Sequence, residues 1–144
     1  MKEENKIYAV IDTNVLVSSL FSAKGSSNPS KVIHCVFNGT IIPLYNFEII
    51  EEYRDVLSRD KFHFKPNLIN DLLSVFTEFG IDTVRKNITD EIFPDCDDIV
   101  FYEVAMSVED AYLVTGNTKH FPRKAFVVTP AQMVEILRAR GLLE

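Results

Sequence analysis

The chain has 144 residues, 47% of them hydrophobic and 25% charged, which is enough to bury one sizeable core and leads us to read residues 1–144 as a single globular domain. No apolar run approaches the roughly 18 to 20 residues that span a bilayer, and the polar start MKEEN is unlike a signal peptide, so a membrane is excluded and a cytoplasmic protein is expected. A formal charge of −6 argues against a broad phosphate-neutralising surface, because nucleic-acid binders are usually basic over at least one face, yet it leaves room for an enzyme whose metal supplies positive charge locally.

KIYAVID opens with β-branched and aromatic residues and runs into Asp12-Thr13-Asn14, a buried strand followed at once by a helix start. VLVSSLFS continues that helix, AKGSSNPS is a polar loop, and Pro29 and Ser30 introduce a second helix, SKVIHCVFNG, stopped by Gly39. TIIPLY is a short strand. From Asn46 the period becomes helical, with Ile49, Ile50, Tyr53, Val56 and Leu57 on one stripe. A polar link, SRDKFHFKP, leads to the helix LINDLLSVFTEFG, the strand IDTV and a nearly all-apolar helix, PDCDDIVFYEVAMSV. The chain closes with AYLVT as strand, GNTKHFPRK as loop, AFVVT as strand, and PAQMVEILRARG as a terminal helix begun by Pro130.

Strands that are apolar throughout and alternate with helices indicate a parallel sheet covered on both faces. The expected fold is therefore a three-layer α/β/α sandwich around a central, mainly parallel sheet of four to five strands. Sites in such sheets lie beyond the carboxyl ends of the strands. Cys35 and Cys96 have neither CxxC nor Cys/His spacing, so neither a disulfide framework nor a structural zinc site is indicated.

Several polar residues fall at that edge. Asp12 directly follows YAVI, and two readings fit it: a helix cap or a site carboxylate. Glu52 borders the apolar stripe of its helix while Glu51 points away, so Glu52 is half-buried and serves either as a boundary residue or as a ligand. Asp98 heads the face carried on by Phe101, Tyr102 and Ala105; the structural alternative makes Asp95 the N-cap and Asp98 the N3 residue of an acidic capping box. Gly116 and Asn117 follow another buried strand, which brings Asn117 near Asp12; Gly-Asn is also ordinary turn chemistry suited to positive φ. Three carboxylates and an amide at one lip form a set of hard oxygen donors suited to Mg2+ or Mn2+, and like charges so gathered raise one another's pKa until a cation relieves them.

The phrases AVIDTNVLVSSL, FEIIEEYRDVLSRDKF, PDCDDIVFYEVA and AYLVTGNTKHF, in this order, resemble the PIN domain family, and in particular its bacterial VapC-like ribonucleases, the toxin components of toxin-antitoxin pairs. The resemblance covers almost the whole chain. It implies metal-dependent hydrolysis of RNA phosphodiesters, with Asp12 and Asp98 as ligands of Mg2+ or Mn2+, Glu52 orienting the metal's waters, and Asn14 as a helper beside Asp12. Many relatives carry an aspartate where this chain has Asn117, which here coordinates or hydrogen-bonds without a charge. An antitoxin partner and a homodimer are further implications, and a PIN-like binding module without activity is the alternative.

The other polar residues are weighed individually. Thr13 and Thr115 are read as hydroxyls bonded to backbone, with Thr115 also near the substrate. His120 is the one histidine with a place at the site; His34 is expected to be packed in its helix, and His63, between Phe62 and Phe64, docks a loop or stacks a base. Lys119, Arg123 and Lys124 make the basic cluster nearest the lip, either a solvated loop or a contact to the RNA backbone.

Overall fold

The computed structural model describes residues 6–22 and 25–144; Met1–Asn5 and two positions of the expected polar loop, Ala23 and Lys24, lie outside the described residues. Among the described residues there are five strands and six α-helices, in the order β1 (Ile7–Ile11), α1 (Thr13–Leu20), α2 (Asn28–Phe37), β2 (Ile41–Tyr45), α3 (Phe47–Leu57), α4 (Pro66–Phe79), β3 (Ile81–Asp82), α5 (Ile99–Met106), β4 (Tyr112–Val114), β5 (Val127–Val128) and α6 (Pro130–Ala139). The sheet order is β3-β2-β1-β4-β5, and every pairing is parallel. The α/β/α fold is the one expected, and the sheet is wholly rather than mainly parallel. No helix among the described residues is long and apolar enough to cross a membrane.

The apolar run of β1 explains its central place. Ala9, Val10 and Ile11 are completely buried, which in a pleated strand means that both faces are covered. α2 packs between α1 and α6, and α5 lies against β1, β2 and β4. The chain leaves β1 toward β2 on one side and returns to its other side at β4. The carboxyl ends of β1 and β4 thus flank the point where the winding reverses, the place in such sheets where a crevice forms.

Helix starts follow local chemistry. Asp12, Ser27, Asn46 and Thr129 each accept a backbone N–H from the first turn of the helix they precede, and Thr129 with Gln132 completes a capping box. Gly39, at φ 84°, follows the end of α2, where an L-residue would be strained.

Three expectations need correction. IDTV, AYLVT and AFVVT are trimmed to two, three and two paired residues; of these, β3 and β5 are the edge strands, each with a partner on one side only. The helix expected over PDCDDIVFYEVAMSV is broken: Cys96–Asp98 is a 3-10 turn and the α-helix begins only at Ile99. His34 is exposed, not packed. Of the two readings of His63, the docked loop fits: His63 is exposed, at φ 57°, while Phe62 and Phe64 stack at 5.5 Å and both meet Phe21, so this link docks onto the end of α1.

Candidate active site

Asp12 ends β1 and is 6% exposed. Its Oδ1 accepts the backbone N–H of Thr13 at 2.8 Å, so the cap reading is correct for one oxygen. Its Oδ2 has another use: it accepts the Thr115 hydroxyl at 2.7 Å and the Asn14 side-chain amide at 3.0 Å. Thr115 follows β4, and the register that sets Ile11 beside Val114 brings the two side chains together across adjacent strands. Asn14 Oδ1 in turn accepts the Gly116 N–H at 2.9 Å. A Cβ on Gly116 would stand 3.2 Å from that oxygen. Gly116 therefore serves close approach, and the positive φ expected of a Gly-Asn turn is absent at both residues.

Glu52 sits on α3 with Oε2 accepting the Thr13 hydroxyl at 3.1 Å; it is half-buried while Glu51 is exposed. Both threonine hydroxyls thus donate to carboxylates; the expected backbone bond is present at Thr115, whose Oγ1 also accepts the Asn117 N–H, and no such bond is found at Thr13 among the described residues. Carboxylates are the stronger acceptors, and both lie within reach of the strand ends. Tyr53, one residue on, is fully buried, and its hydroxyl donates to the Ile11 carbonyl. Its ring meets Phe76 on α4 and Phe101 on α5. One aromatic cluster therefore ties together β1, α3 and α5, the elements that end in, carry or follow the three acids. Sequence reasoning placed Tyr53 only in an apolar stripe, although a buried phenol always needs an acceptor.

Asp98 precedes α5 without capping it; Asp95 heads the 3-10 turn by accepting the Asp97 N–H, so the acidic capping box does not form. Asp98 Oδ2 is buried and has no hydrogen-bond partner. The one basic side chain within 4 Å of it among the described residues is His120, with Nδ1 at 3.6 Å, beyond hydrogen-bond range. Burial, then the nearby charges of Asp12, Asp95 and Glu52, push Asp98 up to about 6, with His120 opposing. Burial also raises Asp12 against its own hydrogen bonds, and Glu52 rises through burial and the charges of Asp97 and Asp12. Each acid feels the others.

Asn117 is exposed at the head of the 3-10 turn Thr118–His120. Only its backbone is tied in, through its N–H to Thr115 Oγ1 at 2.9 Å. Lys119 and His120 are exposed on the same turn.

A buried oxygen without a donor, a second carboxylate held by three oriented donors, and a third at their side fit a hard divalent cation. The fit has a limit. Among the described residues, the trio of ligand atoms within 4.8 Å of one another is Asp95, Cys96 and Asp97, all exposed. Asp12, Glu52 and Asp98 are spread more widely, a spacing that suits a small cation holding one or two carboxylates directly and the rest through its waters.

Compared with known proteins, residues 8–119 match the family model described as PIN domain. No curated protein matches, and no solved structure matches.

Proposed function

The chain belongs to the PIN domain family, a family of nuclease-type fold, and from that premise we propose that it is an endoribonuclease dependent on Mg2+ or Mn2+, cutting at the lip formed by β1 and β4. The observation that carries this reading is Asp98 Oδ2, buried without a donor, on a carboxyl whose pKa is raised by burial and then by the charges of Asp12, Asp95 and Glu52. A site kept for stability alone would neutralise or pair that charge.

Asp12 and Asp98 would hold the cation, and Glu52 would accept hydrogen bonds from its waters. The cation, when bound, supplies positive charge to the phosphoryl oxygens and acidifies water. The chain's own part is orientation. Thr13 N, Thr115 and Asn14 together fix the Asp12 carboxylate, leaving about one of its roughly four acceptor positions open. Thr13 also turns Glu52 toward the same space. His120 and Lys119, on the exposed turn beside Asp98, meet the substrate phosphate, while Asn117 offers an amide at the rim and adds no charge.

The test is cleavage of structured and single-stranded RNA with Mg2+ or Mn2+ by the purified protein and by Asp12→Asn. Loss of about 100-fold or more is expected, on the scale seen when a single electrostatic stabiliser is removed. Equal cleavage by both proteins sinks the assignment. As a further part of the reading, supported by the four sequence phrases, the protein is the toxin of a toxin-antitoxin pair and itself a homodimer. Co-expression with the product of an adjoining short reading frame tests the pairing, which requires a stable complex with suppressed cleavage. Light scattering tests the dimer.

A further inference from the structure

One cleft departs from the acidic balance of the chain. It encloses about 780 Å³ between the segment 118–125 and the start of α6, and it is lined by Lys119, Arg123 and Lys124 with no aspartate or glutamate, in a chain of net charge −6. Thr118 and Lys119 of the 3-10 turn Thr118–His120 line it, and the last residue of that turn, His120, lies beside Asp98, so one turn separates the cleft from the acid cluster.

The three cations are not equivalent. Lys124 Nζ lies 3.4 Å from Glu91 Oε1, and Glu91 is itself fixed by the Tyr102 hydroxyl at 2.6 Å. Lys119 and Arg123 form no ion pair with any described residue. Across the cleft, the capping box of α6 uses Thr129 Oγ1 and Gln132 Oε1 as acceptors of backbone N–H groups, and neither residue carries a charge. Phe121, the aromatic residue of the lining, is 6% exposed and turned into the core, so no ring is offered for a base to stack on. What remains is two uncommitted positive charges along a groove, the chemistry that takes phosphates without reading bases.

We propose that this cleft carries the phosphate backbone of single-stranded RNA leaving the acid cluster, with Lys119 and Arg123 neutralising neighbouring phosphates independently of sequence. The choice of RNA rests on the nuclease reading above. Two unpaired cations on the one segment 118–125 offer charge to a single phosphate backbone, and a duplex is the occupant that the test separates from it.

Anisotropy of a labelled single-stranded oligoribonucleotide, in EDTA to prevent cleavage and over a salt series, tests the proposal. The slope of log affinity against log salt should fall by about 1.4 in Lys119→Ala/Arg123→Ala, since each single-strand phosphate contact contributes about 0.7, and affinity should drop equally for oligonucleotides of different sequence. Asp12→Asn should retain the wild-type slope, and Lys124→Ala should lose less affinity than Arg123→Ala. Absence of wild-type binding, an unchanged slope in the double variant, a larger loss at Lys124, or a duplex bound with the same dependence on Lys119 and Arg123 would overturn it. Failure of the two readings is separable. Equal cleavage by Asp12→Asn and wild type removes the nuclease reading while the slope change stands, and an unchanged slope with intact cleavage removes the cleft alone.

Discussion

Asp98 concentrates the tension between stability and function. Its folded-state pKa, raised from 3.8 to about 6, means that the folded protein binds its proton more tightly than the unfolded chain does. The stability linked to that proton is fully present below about pH 4 and is lost as pH rises through 6, so the metal-free protein carries the penalty at neutrality. Asp98→Asn removes the charge and should raise Tm at pH 7 in EDTA while changing it little near pH 4. A lower Tm at pH 7 would contradict the repulsion. The same variant should lose cleavage, giving a more stable and less active protein, the trade expected where a strained group serves function.

At the scale of elements, the irregular segment between β3 and α5 is held by side chains, not by a ladder. Arg85 bridges Glu103 and Glu48, Ser107 accepts the N–H groups of Lys86 and Asn87, and Glu103 accepts that of Thr89. Glu103 is 2% exposed. Arg85→Ala would strand that charge, and we expect a loss of about 3 kcal/mol by chemical denaturation; a loss below about 1 kcal/mol would mean that Glu103 finds other relief. This segment is also where sequence reading fails. β1, the half-burial of Glu52 and the place of Thr115 were legible because strand and helix periods are local. Nothing local pairs Arg85 with Glu103, eighteen positions on, although a lone acid inside IVFYEVAM demands a cation from somewhere. The break at Cys96–Asp98 was hidden for the same reason: its acids favour a helix start, and only the tertiary position of Asp98 decides which turn they make. The expectation that Asp12, Glu52 and Asp98 share an edge came from the place of each along its strand or helix and from the rule that sites lie at the carboxyl ends of parallel strands. The spacing of the three acids, wider than one compact coordination shell, did not, because it depends on how α3 and α5 pack on Tyr53.

For the whole molecule, the proposed reading makes stability depend on a ligand at the acid cluster. A cation that binds only the folded state raises stability by about 2.7 kcal/mol at a hundredfold excess over its dissociation constant. Titrating Mg2+ or Mn2+ at pH 7 should therefore raise Tm progressively in the wild type and far less in Asp12→Asn. An equal rise in both would move the binding elsewhere, the exposed Asp95, Cys96 and Asp97 trio being the alternative with ligand atoms close together. Replacing Thr129 with Ala makes a separate test of packing at the other end of the chain. Loss of the capping box on α6 should cost about 1 kcal/mol in chemical denaturation, and no measurable change would mean that docking against α2 alone sustains the helix.

The hydroxyl that orients Asp12 comes from Thr115, 103 positions later, and β4 is also what closes the second edge of β1. A ribosome delivers the chain from its first residue, and domains generally take shape as whole units once their parts have emerged. All three acids leave the ribosome before β4 does, yet Asp12 then lacks both its neighbouring strand and its main donor. On the proposed reading the unfinished polypeptide is harmless to the message that encodes it, and cutting power arrives only near the completion of synthesis.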